Sequence, residues 1–401
     1  MMVELKKSDW PLVILVIMAG ITTAAHIGKA PPALPLLRAE LGLTLVEAGW
    51  VTSIIAALAM AVGMLSGVVA DRVGHRRMLI IGLAVLSLSG FVGSKVDISQ
   101  LLLLSRFFEG LGFIAVAVSA PSLIILSILP RHRQIVLGVW SAWIPAGISV
   151  SMFVSPLVLA PYGWRGLWLV WAGVAIVLAL TLIIKRQPTP SPQQKIEDPK
   201  HSFFKSAKLV ISRPGPIVLA LGFMVFAMQW GSMMMWMPSF LVEQRAISVS
   251  LSALLGALVV AVNVPGNLIG GWLLHRGVER WHLMGITHFI MGACAIGIFS
   301  DVLPDASRYG LALLFSHAAG YLPAAVFASV PIHAPSHRQF GATSGLLLQG
   351  SNTGNFFGPP AVAAIVATFG SWNAAMWLML AGAGMGIVLS IFLGVIERRS
   401  S

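Results

Sequence analysis

The sequence predicts an all-α membrane protein of twelve transmembrane helices in two pseudo-symmetric six-helix halves. Three observations predict it. The 401 residues are 57% hydrophobic and only 10% charged, where a soluble domain carries about 25% charged residues. Apolar blocks of about 20 residues or more, long enough to cross a bilayer, recur along the whole length. Glycines and prolines also coincide at one constant offset between the two halves of the chain.

Twelve blocks can be cut, at 11–35, 45–70, 78–95, 100–127, 134–160, 165–185, 215–238, 249–273, 281–300, 307–330, 341–367 and 371–396. The first is too long for the core of a secretory signal peptide and reads as a retained helix. It carries Thr22, His26 and Lys29, at spacings of four and three, on one face. An intramembrane lysine is costly and by default faces a cavity; near a helix end it can instead snorkel to water. Pro31, Pro32 and Pro35 follow and are expected to break or kink the end of this helix.

Between blocks two and three lies the densest charge cluster, Gly67-Val-Val-Ala-Asp71-Arg72-Val-Gly74-His-Arg76-Arg77. It reads as a tight turn on a positively charged side of the membrane. Gly67 is expected to let its helix approach a neighbour, Gly74 to supply a turn that a side chain would obstruct, and Asp71 to neutralise a nearby helix N-terminus. Arg72, Arg76 and Arg77 would hold the turn at that side.

Block four contains Arg106-Phe-Phe-Glu109-Gly110-Leu-Gly112. Arg106 and Glu109 are three apart and can pair, which lowers the cost of placing either in the membrane. Glu109 is the one acid well inside a block, and so the first candidate for a proton site; a static ion pair is the alternative. Block five carries Trp140 and Trp143 around a Gly- and Pro-rich run, and ends near Ser155-Pro156.

Residues 187–213 are Pro-, Gln- and Lys-rich at first and read as a linker. They separate a first half, 1–186, from a second, 214–401. Block seven carries Gln229, Trp230, Trp236 and three consecutive methionines. Tryptophans also serve as interfacial anchors, and methionines pack. Asn263, His288 and His317 are weaker candidates in blocks eight to ten, and His288 is expected to be structural. Block eleven is the most polar, with Gln349, Asn352 and Asn355 at helical spacing. Such amides suit either a polar solute or interhelical hydrogen bonds.

Nineteen lysines and arginines fall on the side that holds both termini and the linker, against five (Arg38, Lys95, Arg165, Arg245 and Arg308) on the other. This bias places the termini in the cytoplasm and explains the net charge of +12 without nucleic acid. Shifting the first half by 203 positions superposes Gly28 on Gly231, Pro35 on Pro238, Gly63 on Gly266, Gly67 on Gly270, Gly82 on Gly285, Gly138 on Gly341, Gly147 on Gly350 and Pro156 on Pro359. The lone Cys294 excludes an intrachain disulfide or a multi-cysteine metal site.

The charged loop resembles the loop between helices two and three of the major facilitator superfamily of transporters. The Arg106–Gly112 stretch is similar to that superfamily's helix-four motif. The run Leu137-Gly-Val-Trp140-Ser-Ala142 and the glycine-rich block eleven look like the superfamily's bacterial cyanate and nitroimidazole transporter branch. That branch's helix-one arginine has no obvious counterpart, Lys29 lies further along, and Arg106 is not typical of it. Ser155-Pro156 departs from the helix-five motif of drug antiporters. The resemblance implies the major facilitator fold, with a solute bound between the halves and exposed to each side in turn. It also associates Arg106 with proton coupling or substrate handling.

The expected function is secondary active transport by alternating access, with proton-coupled uptake of a small anionic or polar organic solute. Efflux of amphipathic compounds, of multidrug type, is the alternative; a non-transporting membrane sensor is a third. Substrate contacts are expected from His26, Lys29, Arg106, Trp140, Trp143, Gln229, Trp230, Gln349 and Asn352. Proton coupling is expected at Glu109 and His26, and a conformational role for Gly67, Asp71, Arg72, Gly74 and Arg76. No enzyme activity, cofactor or metal is expected. The partners are a small-molecule substrate, protons and the lipid of the inner (cytoplasmic) membrane, the chain being multi-pass and acting as a monomer.

Overall fold

The computed structural model describes residues 8–185, 203–336 and 339–400, and among them the chain is helical with no strand. Ten helical spans are long and apolar enough to cross a membrane. One of these, Trp143–Ile184, is two helices joined at Gly163, whose φ of +60° and ψ of −169° break the path. Phe340–Phe369, at 30 residues, has the length of a further span and carries more amide and hydroxyl side chains than any of the ten. Twelve membrane-length helices result.

The first half holds helix one (Trp10–Leu41), helix two (45–73), helix three (His75–Gly93), helix four (Ser99–Ser127), helix five (130–162) and helix six (164–184). The second holds helix seven (Pro214–Arg245), helix eight (Val249–His275), helix nine (Arg280–Ile298), helix ten (Asp305–His333), helix eleven (Phe340–Phe369) and helix twelve (Ala375–Ser400). Part of the expected linker, 187–202, lies outside the described residues. The rest is not simply extended, because Phe203–Ile211 forms a short helix.

Of the two effects expected of its prolines, a break or a kink, helix one shows a joint and no end. Asp9 caps its start by accepting the Leu12 amide at 3.0 Å. The regular path pauses at Lys29 and resumes at Ala30, running to Leu41. Pro31 and Pro32 occupy the first turn of the resumed segment, where amide hydrogens have no helical acceptor in any case. The prolines therefore place a joint at Lys29 and leave the helix six residues longer than its apolar block. Helix seven likewise runs past Pro238 to Arg245.

A capping box starts helix two: the Thr44 hydroxyl accepts the Glu47 amide and the Glu47 carboxylate accepts the Thr44 amide. The helix bends through a 3-10 turn at Ile54–Ala56 and again at Val62. It ends at Gly74, where φ is +91° and ψ 128°, and helix three begins at the next residue. An L side chain is strained there, so Gly74→Ala is expected to cost about 1–2 kcal/mol. A fall in the thermal unfolding temperature of the purified protein checks this; an unchanged temperature refutes it.

The glycine repeat has a packing cause. A Cβ on Gly28 would lie 2.6 Å from the Ile148 carbonyl oxygen, and one on Gly147 would overlap the Ile21 carbonyl. Helices one and five thus meet backbone to backbone. In the second half Gly231 is filled by the Asn355 side chain, while Gly350 and Gly354 abut the Ala220 and Met224 carbonyls. Helices seven and eleven repeat the close contact, as small residues permit. Gly67 behaves otherwise: nothing lies within 4 Å of a Cβ built on it. The expected close helix approach at Gly67 is absent; helix two makes it at Gly63 and Met64, against Gln349 and Gly345 of helix eleven.

The halves meet along helices two and eleven, where Gly49 faces Pro360 and Gly345 faces Met64. They also meet where Met152 of helix five fits against Gly256 of helix eight. At the end away from the termini, Arg38 of helix one pairs with Glu243 of helix seven across the divide. The same end holds Arg165 with Glu40 and Asp97, Arg245 with Asp305, and Arg308 with Asp301.

Candidate functional site

Four ionisable side chains converge inside the first half. His26, Lys29, Arg106 and Glu109 are each 0% exposed. The joint in helix one places Lys29 opposite helix four. Its Nζ donates to Glu109 Oε1 at 2.6 Å and lies 3.1 Å from His26 Nδ1. Arg106, one turn before Glu109, pairs with Glu109 Oε2. Arg106 also donates to the His26 carbonyl at 2.6 Å and, through Nε, to the Val51 carbonyl of helix two at 3.0 Å. One carboxylate is therefore shared by two cations, and the guanidinium ties helices one, two and four together.

The histidine tautomer follows from its neighbours. His26 Nε2 lies 3.3 Å from the Trp171 carbonyl oxygen, which can only accept. Nε2 therefore carries a hydrogen; Nδ1 lies 3.3 Å from Glu109 Oε1 and nearer to the Lys29 amine, from which it accepts. Helix six supplies the roof, with Lys29 Nζ 4.6 Å from the centre of the Trp168 ring, a cation–π contact. Helix three makes room through glycine: a Cβ on Gly90 would meet His26 at 3.3 Å, and one on Gly93 would meet Ser105 Oγ at 2.6 Å. Trp168, Trp171, Gly90, Gly93 and Val51 all belong to this site and were not among the residues expected from sequence. A tryptophan in an apolar block is too common to stand out, and a backbone carbonyl leaves no sequence signal.

The other expected contact residues lie elsewhere. Trp140 and Trp143 stack on one another, 5.0 Å between ring centres, and Trp143 stacks on Phe113 of helix four. Gly20 of helix one packs on the Trp140 ring. Gln229 donates to the Met379 carbonyl at 2.7 Å and pairs with His288 Nδ1 at 3.1 Å, so His288 does hold structure together. Trp230 donates to Ser316 at 3.1 Å. Gln349 spans the divide, donating to the Met60 and Ala61 carbonyls of helix two at 3.1 and 3.2 Å. Asn352 donates to the Leu348 carbonyl of its own helix at 2.8 Å. The nine residues thus occupy separate places: a buried charge cluster, a tryptophan stack, a helix-seven network and the seam between halves.

In the loop, Arg76 donates to the Leu182 and Lys185 carbonyls at the end of helix six, where a cation complements the helix terminus. Arg72 is exposed, and the side chain of Asp71 lies outside the described residues. Among those residues no group of three or more metal-ligating side chains could hold a metal ion.

Comparison with known proteins gives a consistent family. The sequence profile of the Major Facilitator Superfamily matches residues 12–348. A Bacillus subtilis (strain 168) protein described as a niacin/nicotinamide transporter is 23% identical over 65% of this chain. The match covers 65% of that relative, so the chain spans slightly less than two thirds of its length. A Cupriavidus necator protein described as a sulfoacetate transporter is 23% identical over 90% of this chain and 88% of its own. The 2-nitroimidazole transporter of Escherichia coli (strain K12) is 24% identical over 92% of this chain and 91% of its own. Among solved structures, a bacterial homolog of the lysosomal transporter Spinster, inward-facing and unoccupied, superposes with a TM-score of 0.74 at 20% identity, covering 96% of each chain. A D-xylose–proton symporter superposes with a TM-score of 0.77 at 14% identity, over 96% of this chain and 97% of its own.

Proposed function

Because the chain belongs to the major facilitator superfamily, we propose that it is a secondary active transporter that takes up a small anionic or polar organic solute together with protons. It works by alternating access, its halves rocking about a solute held between them. It acts as a monomer in the inner membrane. The charge bias supports cytoplasmic termini, which makes the end paired through Arg38 and Glu243 the outer end.

The observation that carries proton coupling is the fully buried carboxylate of Glu109 shared by Lys29 and Arg106. A charge change at this cluster alters how strongly helices one, two and four are tied together. That gives one proton a differential energy between two conformations, which is what coupling requires. The excess of cations over carboxylates supports an anionic solute. Nicotinate and sulfoacetate are the first solutes to try, given the relatives described above.

Proteoliposomes that enclose a pH-sensitive dye test this. Nicotinate, sulfoacetate, other small anions and cationic drugs are compared in the parent protein and in Glu109→Gln. Proton movement driven by an anion, and lost in Glu109→Gln, is the expected result. Flux driven only by cationic or neutral amphiphiles overturns the uptake reading in favour of efflux. Anion-driven flux that survives Glu109→Gln removes the carboxylate from the coupling.

A further inference from the structure

We propose that the proton exchanged by the buried cluster is carried by the amine of Lys29, with Glu109 and His26 as its fixed acceptors. This rests on proton coupling at that cluster, as proposed above.

Charge bookkeeping leads to it. Arg106 is a permanent cation. Glu109 has one carboxylate oxygen on Arg106 and the other on Lys29. His26 directs its Nε2 hydrogen at the Trp171 carbonyl; its Nδ1 lies 3.3 Å from Glu109 Oε1 and closer, at 3.1 Å, to Lys29 Nζ, and with Nδ1 accepting from that amine the ring is uncharged. A charged Lys29 leaves two cations against one carboxylate at zero exposure, and a net charge held away from water is strongly disfavoured. Releasing one proton from Lys29 leaves Arg106 and Glu109 as a balanced pair.

The hydrogen bonds suit that step. A neutral amine has two hydrogens, and Nζ has two acceptors, Glu109 Oε1 at 2.6 Å and His26 Nδ1 at 3.1 Å. The third hydrogen of the ammonium has only the face of Trp168. When movement of the halves admits water to the cluster, this proton can pass to it, giving amine and hydronium, without either hydrogen bond being lost. Among the described residues, no other charged side chain pairs with the cluster. Helix three brings Gly90 and Gly93, helix five brings the Ile148 backbone against Gly28, and helix six brings Trp168 and the Trp171 carbonyl.

Position couples the proton to movement. Lys29 is the joint between the two segments of helix one. Pro31 and Pro32 have no amide hydrogen for the Ile27 and Gly28 carbonyls, so the helix is weakest at this residue. The segment beyond it carries Arg38, whose partner Glu243 belongs to the other half. A change of charge on Lys29 therefore acts at the hinge of the element that closes the outer end.

Trp168 makes the titration visible, since the amine sits over its ring. The probe is the emission difference between the parent and Trp168→Phe, titrated with no solute from about pH 5 to about pH 10, close to the ordinary lysine value. The proposal expects a one-proton curve in the parent that disappears in Lys29→Arg, which keeps a permanent cation by the ring. A flat parent curve overturns it, and so does a curve that persists in Lys29→Arg, which assigns the proton to Glu109 or His26. A second measurement covers failure of the arginine variant to fold. With nicotinate or sulfoacetate, one coupled proton concentrates the solute about tenfold per unit of pH gradient. Lys29→Met is expected to lose that tenfold accumulation and still exchange solute. Accumulation that persists in Lys29→Met overturns the proposal. If the parent moves no protons with any solute, proton coupling itself falls, while the fluorescence titration still decides the state of Lys29.

Discussion

Glu109→Ala is expected to destabilise the protein by about 3–5 kcal/mol, the cost of leaving a buried charge without its partner. The carboxylate touches both Lys29 and Arg106, and none of the three reaches solvent. Removing it leaves two cations facing one another. Much of the loss is expected to return in Glu109→Ala/Lys29→Met, which removes one cation and leaves Arg106 with its bonds to the His26 and Val51 carbonyls. Lys29→Met alone should cost less than Glu109→Ala, since the pair of Arg106 and Glu109 survives. Thermal unfolding of the four proteins in one detergent forms a double-mutant cycle, and the coupling energy is the quantity to read. Strict additivity would mean that the amine and the carboxylate do not depend on one another.

The second large effect is a contrast within the repeat. Gly147→Ala and Gly350→Ala place a methyl group on a backbone carbonyl, that of Ile21 or Ala220. A carbonyl held within a helix cannot step aside as a side-chain tip can, so each change is expected to cost about 1–3 kcal/mol. Gly138→Ala and Gly341→Ala meet nothing within 4 Å and should gain up to about 1 kcal/mol from helix propensity. These are repeat partners too, so the same offset holds glycines of opposite consequence. Unfolding temperatures that fail to separate the two pairs would contradict the packing described for helices one and five and for helices seven and eleven.

Much of this architecture was legible in the sequence because a bilayer constrains it. Block length and lysine–arginine bias depend on local composition, so the twelve helices can be read without knowing what touches what. His26, Lys29, Arg106 and Glu109 were legible for the same reason: a charged or polar residue in an apolar block must have a partner. Which partner was not legible. The spacing of Arg106 and Glu109 suggested a pair on one helix, yet Lys29 joins it from 80 positions away. The helix-six roof over Lys29 also depends on Gly163, where the chain reverses after helix five. Trp140 and Trp143 were expected to contact the solute, and the structure packs them among helices one, four and five. Aromatic residues serve either purpose with the same spacing, and only tertiary packing separates them.

The ion pair that joins the halves at the end away from the termini has a consequence for the conditions under which the protein rests. The side chains of Arg38 and Glu243 are 31% and 35% exposed. A pair in partial contact with water contributes about 0–1 kcal/mol, and dissolved ions weaken it further. The Debye length falls from about 30 Å at 0.01 M salt to about 3 Å at 1 M. The share of molecules closed at this face is thus tied to the ionic strength of the medium that bathes it. The pair of Lys29 and Glu109, sealed from water, is shielded from that influence. One end of helix one is then sensitive to salinity, while its joint is not.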